Sequence, residues 1–254
     1  MSKSKTILIT GGTGKLGSQF VKHFLAQGYT VIVTSRNPKN LNDLNKTVKS
    51  SHKGKRLLGL VVDLEKISAA QEIYESLHKK KVSLDALINN ARNKDYLSMS
   101  NSGPSRSHWL GEFFLDVVVP YELSLALTTK FFTLKSIINV SSMYGVVAAN
   151  PKLYNNPTKE SPIHYSVAKA ALIHLTKELA VRLAQKGVRV NCISYGGVEG
   201  RAGEDFKKRY AQFCPSGRML KDSEVVGAAE FLVSDASLGM TGHNLMVDGG
   251  WSVW

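Results

Sequence analysis

The sequence has few cysteines, no long apolar run and a shortage of acidic residues, and each shortage excludes a class of protein. Its 254 residues include only Cys192 and Cys214, too few for the disulfide framework of a secreted scaffold. No CxxC motif or Cys/His cluster suggests a metal site. Glu112, Asp116 and Glu122 interrupt the best candidate for a membrane span, and MSKSKTILITGG leaves no room for a signal peptide. We expect a cytoplasmic protein with two buried or partly buried thiols.

The charge balance is basic, with 33 Lys and Arg against 20 Asp and Glu and a net charge of +13. The basic residues are scattered, without a basic tail or aromatic residues interleaved among them. A solvated surface and attraction of phosphorylated ligands both fit this pattern, and nucleic acid fits it less well. We therefore expect a small-molecule substrate, with neither nucleic acid nor membrane as a partner.

No repeat or Pro/Gly/Ser-rich linker divides the chain, and short β-branched runs alternate with stretches of helical period. Several runs are continuously apolar, which is typical of strands buried on both faces of a parallel sheet. The pattern predicts one doubly wound, Rossmann-type α/β domain over residues 1–254, with about seven parallel strands and helices on both faces. The predicted strands are 6–10, 30–35, 57–62, 85–90, 136–142, 188–194 and 244–248. The predicted helices are 15–27, 40–50, 65–80, 108–132, 163–186 and 223–234.

Two segments do not fit the alternation. Residues 92–107 are polar and irregular, and residues 195–220 begin with a glycine-rich stretch. Loops that follow strand ends line the ligand crevice of a doubly wound sheet. We expect these two segments to form the walls of the substrate site.

TILITGGTGKLGS places glycines between the first strand and the first helix, where they permit a tight turn and let backbone N–H groups approach a pyrophosphate. After the second strand stand Ser35 and Arg36, where NAD enzymes usually carry a carboxylate that repels a 2′-phosphate. A surface arginine is the alternative, but the pattern favours NADP, with NAD possible. Asp63 and Asn90 end later strands, where they either contact the cofactor or cap a turn.

Tyr165 and Lys169 lie four residues apart in PIHYSVAKAALIHL, which puts both on one helix face. An unperturbed phenol has a pKa of about 10 and is a poor base at neutral pH. A neighbouring ammonium favours the phenolate and makes proton exchange near pH 7 feasible.

With TGGTGKLG, VDL, NNA, NVSS, YSVAK and VDGGW in order, the chain resembles the short-chain dehydrogenase/reductase family from end to end. The resemblance implies hydride transfer between a nicotinamide and a carbonyl or alcohol carbon, in a dimer or tetramer with the Tyr165 helix and residues 251–254 near interfaces. It makes Ser142, Tyr165 and Lys169 catalytic, with Tyr165 as acid or base, Lys169 lowering its pKa and Ser142 binding the substrate oxygen. The predicted cofactor residues are Gly11, Gly12, Thr13, Gly14, Lys15, Leu16, Gly17, Ser35, Arg36, Asp63, Leu64, Asn90, Ala91, Tyr165, Lys169, Gly196 and Val198.

The chain departs from the family pattern near this site. Val118 stands where the family commonly has an asparagine that helps to hold a water relay to the lysine, so the proton path is an open question. Arg92 replaces the last glycine of NNAG and adds a guanidinium that would face the substrate side of the cleft. Lys15 stands where classical members have glycine, and either reaches the phosphates or points into solvent.

NNAR, SSMYGVV, IHLTKELA and the Phe206–Tyr210–Cys214–Pro215 segment resemble a bacterial subgroup linked to flagellin modification and surface-glycan sugars. That resemblance implies a sugar or nucleotide-activated sugar as substrate. An anionic substrate would fit four basic residues of the two expected loops, Arg92, Lys94, Arg106 and Arg201. A small ketone or 3-oxoacyl substrate is the alternative within enzymes, and a non-catalytic NADP-binding regulator is the alternative from another class.

Overall fold

Seven parallel strands form one sheet in the computed structural model, which describes residues 4–51, 56–200 and 202–254. The strands run in the order β3-β2-β1-β4-β5-β6-β7. They are β1 (Thr6–Ile9), β2 (Thr30–Ser35), β3 (Leu57–Val61), β4 (Ala86–Asn89), β5 (Ser136–Ser142), β6 (Arg189–Tyr195) and β7 (Asn244–Val247). Every predicted strand is present within one residue at each end, so the predicted doubly wound fold is confirmed.

Both faces of the sheet are covered, which explains the continuously apolar strands. Ile7 and Ile9 point to one face and pack with Phe20, whereas Leu8 points to the other face and packs with Ile73. Successive side chains of a strand alternate between faces, so a strand buried on both sides needs an apolar residue at every position.

Nine helices occur within the described ranges. They are α1 (Lys15–Ala26), α2 (Pro38–Ser51), α3 (Ala69–Lys79), α4 (Arg106–Phe113), α5 (Val119–Lys130), α6 (Pro157–Glu160), α7 (Ile163–Leu183), α8 (Glu204–Phe213) and α9 (Val226–Val233). The helices α1, α2 and α9 contribute to the core on one face, and α3, α5 and α7 to the core on the other. The predicted starts at residues 65 and 223 were too early, because short turns precede α3 and α9.

The single helix predicted over 108–132 is wrong, because a π-helical turn, Phe114–Val118, separates α4 from α5. Pro120 explains the break: it has no N–H for the helical hydrogen bond to the Asp116 carbonyl, and its ring crowds that carbonyl. The widened turn changes which side chains face α7.

The predicted irregular segment 195–220 contains the helix α8, and segment 92–107 contains a 3-10 turn, Lys94–Leu97, and the start of α4. Phe206, Tyr210 and Phe213 recur at helical spacing in α8 and pack against Trp251 and its neighbours. Their burial stabilises a helix whose other residues are polar.

The strand order reverses between β1 and β4, which are neighbours in the sheet but connect to opposite halves of it. Ligands of open α/β sheets bind at such a point, beyond the carboxyl ends of the strands. Over the ranges given above, no helix has the combination of length and apolar character that crossing a membrane requires.

Candidate functional site

A cleft of about 890 Å³ lies at the carboxyl ends of the strands, at the reversal point. It extends from the glycine turn before α1 to Tyr165 and Lys169 on α7. Fourteen of the predicted cofactor residues line it: Gly11, Thr13, Gly14, Lys15, Leu16, Gly17, Ser35, Arg36, Asp63, Leu64, Asn90, Ala91, Tyr165 and Lys169. Gly12, Gly196 and Val198 are not among the lining residues.

The glycine turn has the geometry of a phosphate cradle. Gly11 has φ +61°, and a Cβ there would lie 2.7 Å from the Ala91 backbone. A Cβ on Gly17 would collide with the Gly11 carbonyl oxygen. The helix α1 starts at this turn without a capping side chain or an acidic residue in its first turn, so its N-terminal N–H groups suit an anion. These residues therefore fit the pyrophosphate of a dinucleotide.

Two further glycines of the prediction, Gly12 and Gly196, serve packing. A Cβ on Gly12 would come within 2.6 Å of Val33, and one on Gly196 within 2.7 Å of the Asp248 backbone. Lys15 lines the cleft, and its ammonium donates to the Val198 carbonyl at 2.9 Å and lies 3.6 Å from Asp222 Oδ1. It thus links the glycine turn to the segment after β6.

The end of β2 carries no carboxylate, as the sequence showed. Arg36 is 57% exposed, donates to Asn93 Oδ1 at 3.1 Å, and lies 3.9 Å from Glu65 and 3.8 Å from Asp95. Ser35 Oγ accepts the N–H of Asn37 at 3.2 Å, so it shapes the turn that presents the guanidinium. Two carboxylates from the neighbouring loops therefore balance part of the positive charge at this end of the cleft.

Asp63 and Asn90 have visible structural partners beside the cleft. Asp63 Oδ1 accepts the N–H of Glu65 at 3.2 Å, which is the turn-capping alternative. Asn90 Nδ2 donates to the carbonyls of Thr10 at 3.0 Å and Gly11 at 3.2 Å, so it holds the glycine turn in place. Both residues still line the cleft, where a ligand can reach them.

The other end of the cleft is built by β5 and α7. Tyr165 and Lys169 lie one turn apart on α7, with Tyr165 half-buried and Lys169 buried. Ser141 Oγ donates to the Lys169 carbonyl at 3.0 Å, which fastens α7 to the end of β5. Ser142 ends the same strand, and its hydroxyl accepts the N–H of Tyr144 at 3.2 Å.

Lys169 is held by two protein groups. Its ammonium donates to the Val140 carbonyl at 3.0 Å and lies 3.0 Å from Asp116 Oδ2, with the side chains 8% and 2% exposed. Burial alone would lower the pKa of Lys169, but the Asp116 carboxylate and Tyr165 outweigh burial and raise it. Lys169 is therefore a fixed positive charge beside Tyr165, with 5.6 Å between its ammonium nitrogen and the centroid of the Tyr165 ring.

Asp116 is the functional residue that the sequence reasoning missed. The sequence pointed to Val118 as the replaced asparagine, but it is Asp116, two residues earlier in the π-helical turn, that contacts the lysine. Glu112, one turn earlier on α4, is 1% exposed, and burial followed by the charge of Asp116 raises its pKa to about 7. The signal was two acidic residues four apart in an otherwise apolar segment, EFFLDVVVPY.

Arg92 lies over the ring of Tyr165, with 4.4 Å between its guanidinium carbon and the ring centroid. It is exposed and lines the cleft together with Lys94. Arg106 lies at the start of α4, and Arg201 is outside the described residues. One of the four basic residues predicted for substrate binding thus stands directly at the tyrosine.

An aromatic and thioether cluster packs behind the end of β5. Tyr144 and Tyr154 share a hydrogen bond of 2.7 Å between their hydroxyl oxygens, and Tyr210 stacks on Trp251 with 4.5 Å between centroids. Both cysteines are buried, as expected, and burial raises the pKa of Cys192 to about 12. Over the described ranges, no group of three or more His, Cys, Asp and Glu side chains is placed to hold a metal ion.

Comparisons with known proteins agree with this fold. The model of the family described as "Enoyl-(Acyl carrier protein) reductase" matches residues 14–252. The chain is similar to post-translational flagellin modification protein A of Campylobacter coli, with 30% identity over the full length of both chains. It is also similar to the 3-oxoacyl-[acyl-carrier-protein] reductase FabG of Buchnera aphidicola, with 28% identity over 97% of this chain and 96% of the relative.

Among solved structures, a short-chain dehydrogenase from Leptospira borgpetersenii with bound NAD+ is 31% identical, with a TM-score of 0.83 over 98% of this chain and 93% of the other. A 4-hydroxyisoleucine dehydrogenase in complex with NADH is 26% identical, with a TM-score of 0.81 over 99% of this chain and 100% of the other. The fold, the cleft and these matches agree with one another. The chain belongs to the short-chain dehydrogenase/reductase family and is an oxidoreductase that uses a nicotinamide cofactor.

Proposed function

We propose that this enzyme transfers a hydride between NADP and a hydroxyl or carbonyl carbon of a sugar or nucleotide-activated sugar, with Tyr165 as the acid or base. The observation that carries this proposal is the placement of Tyr165 and the charged Lys169 one helical turn apart, in the cleft that begins at the glycine turn. The bound nicotinamide would supply or accept the hydride.

The side chains then have separate tasks. In the oxidising direction, Tyr165 as phenolate takes the proton of the substrate hydroxyl, while the carbon-bound hydrogen leaves as hydride. In the reducing direction, Tyr165 donates that proton to the carbonyl oxygen. The Lys169 ammonium favours the phenolate by its charge, and Ser142 donates a hydrogen bond to the substrate oxygen.

Replacing Tyr165 by phenylalanine tests this mechanism. General acid–base catalysis contributes about 10²- to 10⁴-fold to a rate, so Tyr165→Phe should lower kcat by at least about a hundredfold. The Kd for NADP, measured by the quenching of tryptophan fluorescence, should change little because the ring is kept. Tyr121→Phe, on the exposed side of α5, is the matched control and should retain full activity. Wild-type turnover in Tyr165→Phe would exclude the mechanism. A wild-type protein that binds NADP but turns over no substrate would favour a cofactor-binding regulator.

The substrate class follows from Arg92. Its guanidinium covers one side of the Tyr165 ring, so an anionic group on the substrate would meet a positive charge next to the reacting carbon. The similarity to a flagellin modification protein supports a sugar substrate. Arg92→Met should raise KM for nucleotide-activated keto sugars at least tenfold and leave KM for small neutral ketones nearly unchanged.

A second candidate is a 3-oxoacyl substrate, which the similarity to FabG proteins favours. A panel of nucleotide-activated keto sugars, 3-oxoacyl thioesters and small diketones, assayed with NADPH and NADH, separates the candidates. A kcat/KM for the thioesters at least a hundredfold above that for the sugars would replace the first proposal by the second.

We also propose that the enzyme is a cytoplasmic homo-oligomer, a dimer or a tetramer, as the family resemblance implies. Apolar side chains on the outer faces of α4 and α7 support this, because Leu110 is 63% exposed and Val167 43% exposed. Trp251 is buried within the chain, whereas Trp254 is 76% exposed. Sedimentation equilibrium tests the assembly, and a monomer at micromolar concentration would refute it.

A further inference from the structure

Lys15 contacts both sides of the segment that contains α8. It is the first residue of α1, and its ammonium donates to the carbonyl of Val198, just after β6. It also faces the Asp222 carboxylate, whose Oδ1 is buried without a hydrogen-bond partner among the described residues. Gly200 leaves room for the ammonium, because a Cβ at this glycine would lie 2.9 Å from the Lys15 nitrogen. A single side chain at the glycine turn therefore reaches the chain before α8 and the chain after it.

The two stretches that Lys15 reaches are also bonded to each other. Val198 and Leu220 form a parallel β-bridge. Within it, the Glu199 N–H donates to the Leu220 carbonyl, and the Leu220 N–H donates to the Gly197 carbonyl, each at 2.8 Å. The bridge closes a loop that contains residues 202–219, which we call the α8 segment. A contact that fixes the bridge therefore also fixes both ends of the α8 segment.

The α8 segment packs beside the end of β5 that carries Ser142. The Tyr210 hydroxyl accepts the Gly197 N–H at 2.9 Å and donates to Met143 Sδ at 3.8 Å. Met143 directly follows Ser142 in the sequence. The position of the α8 segment thus affects the space next to the serine that we propose to bind the substrate oxygen.

The hydrogen bond to Val198 contributes more to this attachment than the ion pair does. Lys15 and Asp222 are 3.6 Å apart with side chains 29% and 45% exposed, so water screens their attraction. The bond to the Val198 carbonyl is 2.9 Å long and has a charged donor, which makes it about twice as strong as a neutral hydrogen bond. Removing the ammonium should therefore loosen the bridge, whereas neutralising Asp222 alone should have little effect.

We propose that Lys15 is a positioning residue, which docks the α8 segment on the glycine turn and so holds one wall of the substrate site in place before a cofactor binds. The glycine that classical members of the family have at this position has no side chain to make the contact. Without the ammonium, the bridge between Val198 and Leu220 opens more often, while the packing of Tyr210 keeps α8 folded.

Hydrogen exchange of the cofactor-free protein, followed by NMR, tests the docking without substrate or turnover. In Lys15→Met the bridge amides of Glu199 and Leu220 should exchange about tenfold faster than in wild type, because a hydrogen bond from a charged donor is lost. Lys22→Met removes the same charge from α1 and should leave both amides unchanged. The Cys192 amide of β6 should keep its wild-type rate in both variants. Unchanged bridge amides, or an equal acceleration of the Cys192 amide, would overturn the proposal.

Two further measurements separate docking from direct contact with the cofactor. Lys15→Arg keeps a cation that can donate to the Val198 carbonyl, and should keep the exchange of the bridge amides close to that of wild type. The Kd for NADPH, measured by the quenching of tryptophan fluorescence, should be similar in Lys15→Met and Lys22→Met, because each removes one positive charge from the lining of the cleft. A Kd raised about tenfold in Lys15→Met alone, with unchanged exchange, would make Lys15 a phosphate ligand instead.

Steady-state kinetics at saturating NADPH measures the effect on the substrate. Lys15→Met should raise the KM of the best substrate in the panel severalfold and leave kcat nearly unchanged, because the α8 segment holds the substrate and Tyr165 carries out the proton transfer. A lowered kcat with an unchanged KM would show that Lys15 does not act through the wall. This last test rests on the proposed function: a wild-type protein without turnover would refute that function, and hydrogen exchange would still decide whether Lys15 docks the α8 segment.

Discussion

Two lysine–aspartate pairs of almost equal length occupy opposite environments in this molecule. Lys169 and Asp116 are 3.0 Å apart with side chains 8% and 2% exposed, in the cleft. Lys5 and Asp235 are 2.9 Å apart with side chains 48% and 78% exposed, at the start of β1. Distance alone would make them equivalent, but water and salt screen only the second pair.

The difference shows what each pair can do. An exposed pair contributes little to stability and does not control its neighbours, because solvent compensates either charge. A buried pair need not stabilise the fold either, since both charges were removed from water. In a buried pair, the charge of each partner depends on the charge of the other. The Asp116 carboxylate therefore keeps Lys169 charged beside Tyr165.

The largest expected effect comes from breaking the buried pair. Asp116→Asn leaves the Lys169 ammonium buried without a counter-charge and should lower the free energy of unfolding by about 3–5 kcal/mol. The matched substitution Asp235→Asn changes the same side chain at the same distance and should have little effect. Urea denaturation at low and at 0.5 M salt measures both. Similar losses in the two variants would refute the distinction between them.

The double variant Asp116→Asn with Lys169→Met refines this result. Removing both charges also removes the cost of an unpaired ammonium, so stability should recover most of what Asp116→Asn alone loses. The double variant should have no activity, because it has no lysine ammonium beside Tyr165. A double variant as unstable as the single one would show that Asp116 acts by packing rather than by charge.

The next effect is a dependence of stability on pH. The pKa of Glu112 is raised from 4.5 to about 7 in the folded protein, so the folded state binds the proton more tightly than the unfolded state. The stability that this proton provides is complete below about pH 4.5 and is lost as the pH rises through 7. Glu112→Gln removes this titration. The free energy of unfolding of Glu112→Gln should therefore rise, relative to that of wild type, by about 3 kcal/mol as the pH increases from 4.5 to 8.

Denaturation of both proteins across this range measures the gain. Subtracting the two curves cancels the other carboxyl groups, which titrate in both. Glu122→Gln should run parallel to wild type. A constant difference between Glu112→Gln and wild type would mean that Glu112 has an ordinary pKa.

Asp116 also marks the limit of prediction from sequence. The strands, the glycine turn and the Tyr165–Lys169 spacing could be predicted because each depends on a local pattern: an apolar run, a glycine position, or four residues on a helix. Asp116 could not, because its contact with Lys169 depends on a π-helical turn that widens the helix, and helical periodicity gives no register across such a turn.

The helix α8 was missed for a different reason. Gly196, Gly197 and Gly200 make the segment after β6 look irregular, although Phe206, Tyr210 and Phe213 recur at helical spacing. Its apolar residues pack against Trp251, which is distant in sequence. Tertiary packing of that kind stabilises a helix that local composition does not predict.

The smallest expected effect tests the exposed charges at the cofactor end, where Arg36 lies 3.9 Å from Glu65 and 3.8 Å from Asp95. Arg36→Asp should shift the ratio of kcat/KM for NADP over NAD toward NAD by about tenfold or more, or 1.4 kcal/mol, because a carboxylate repels a 2′-phosphate and accepts from a 2′-hydroxyl. Arg56→Asp makes the same charge change just before the start of β3, at the edge of the sheet opposite to the cleft, and should leave the ratio unaltered. Glu65→Gln should move the ratio the other way by about twofold, since it frees part of the guanidinium charge. If Arg36→Asp and Arg56→Asp shift the ratio equally, Arg36 acts only through the net charge of the protein and does not contact the 2′-phosphate.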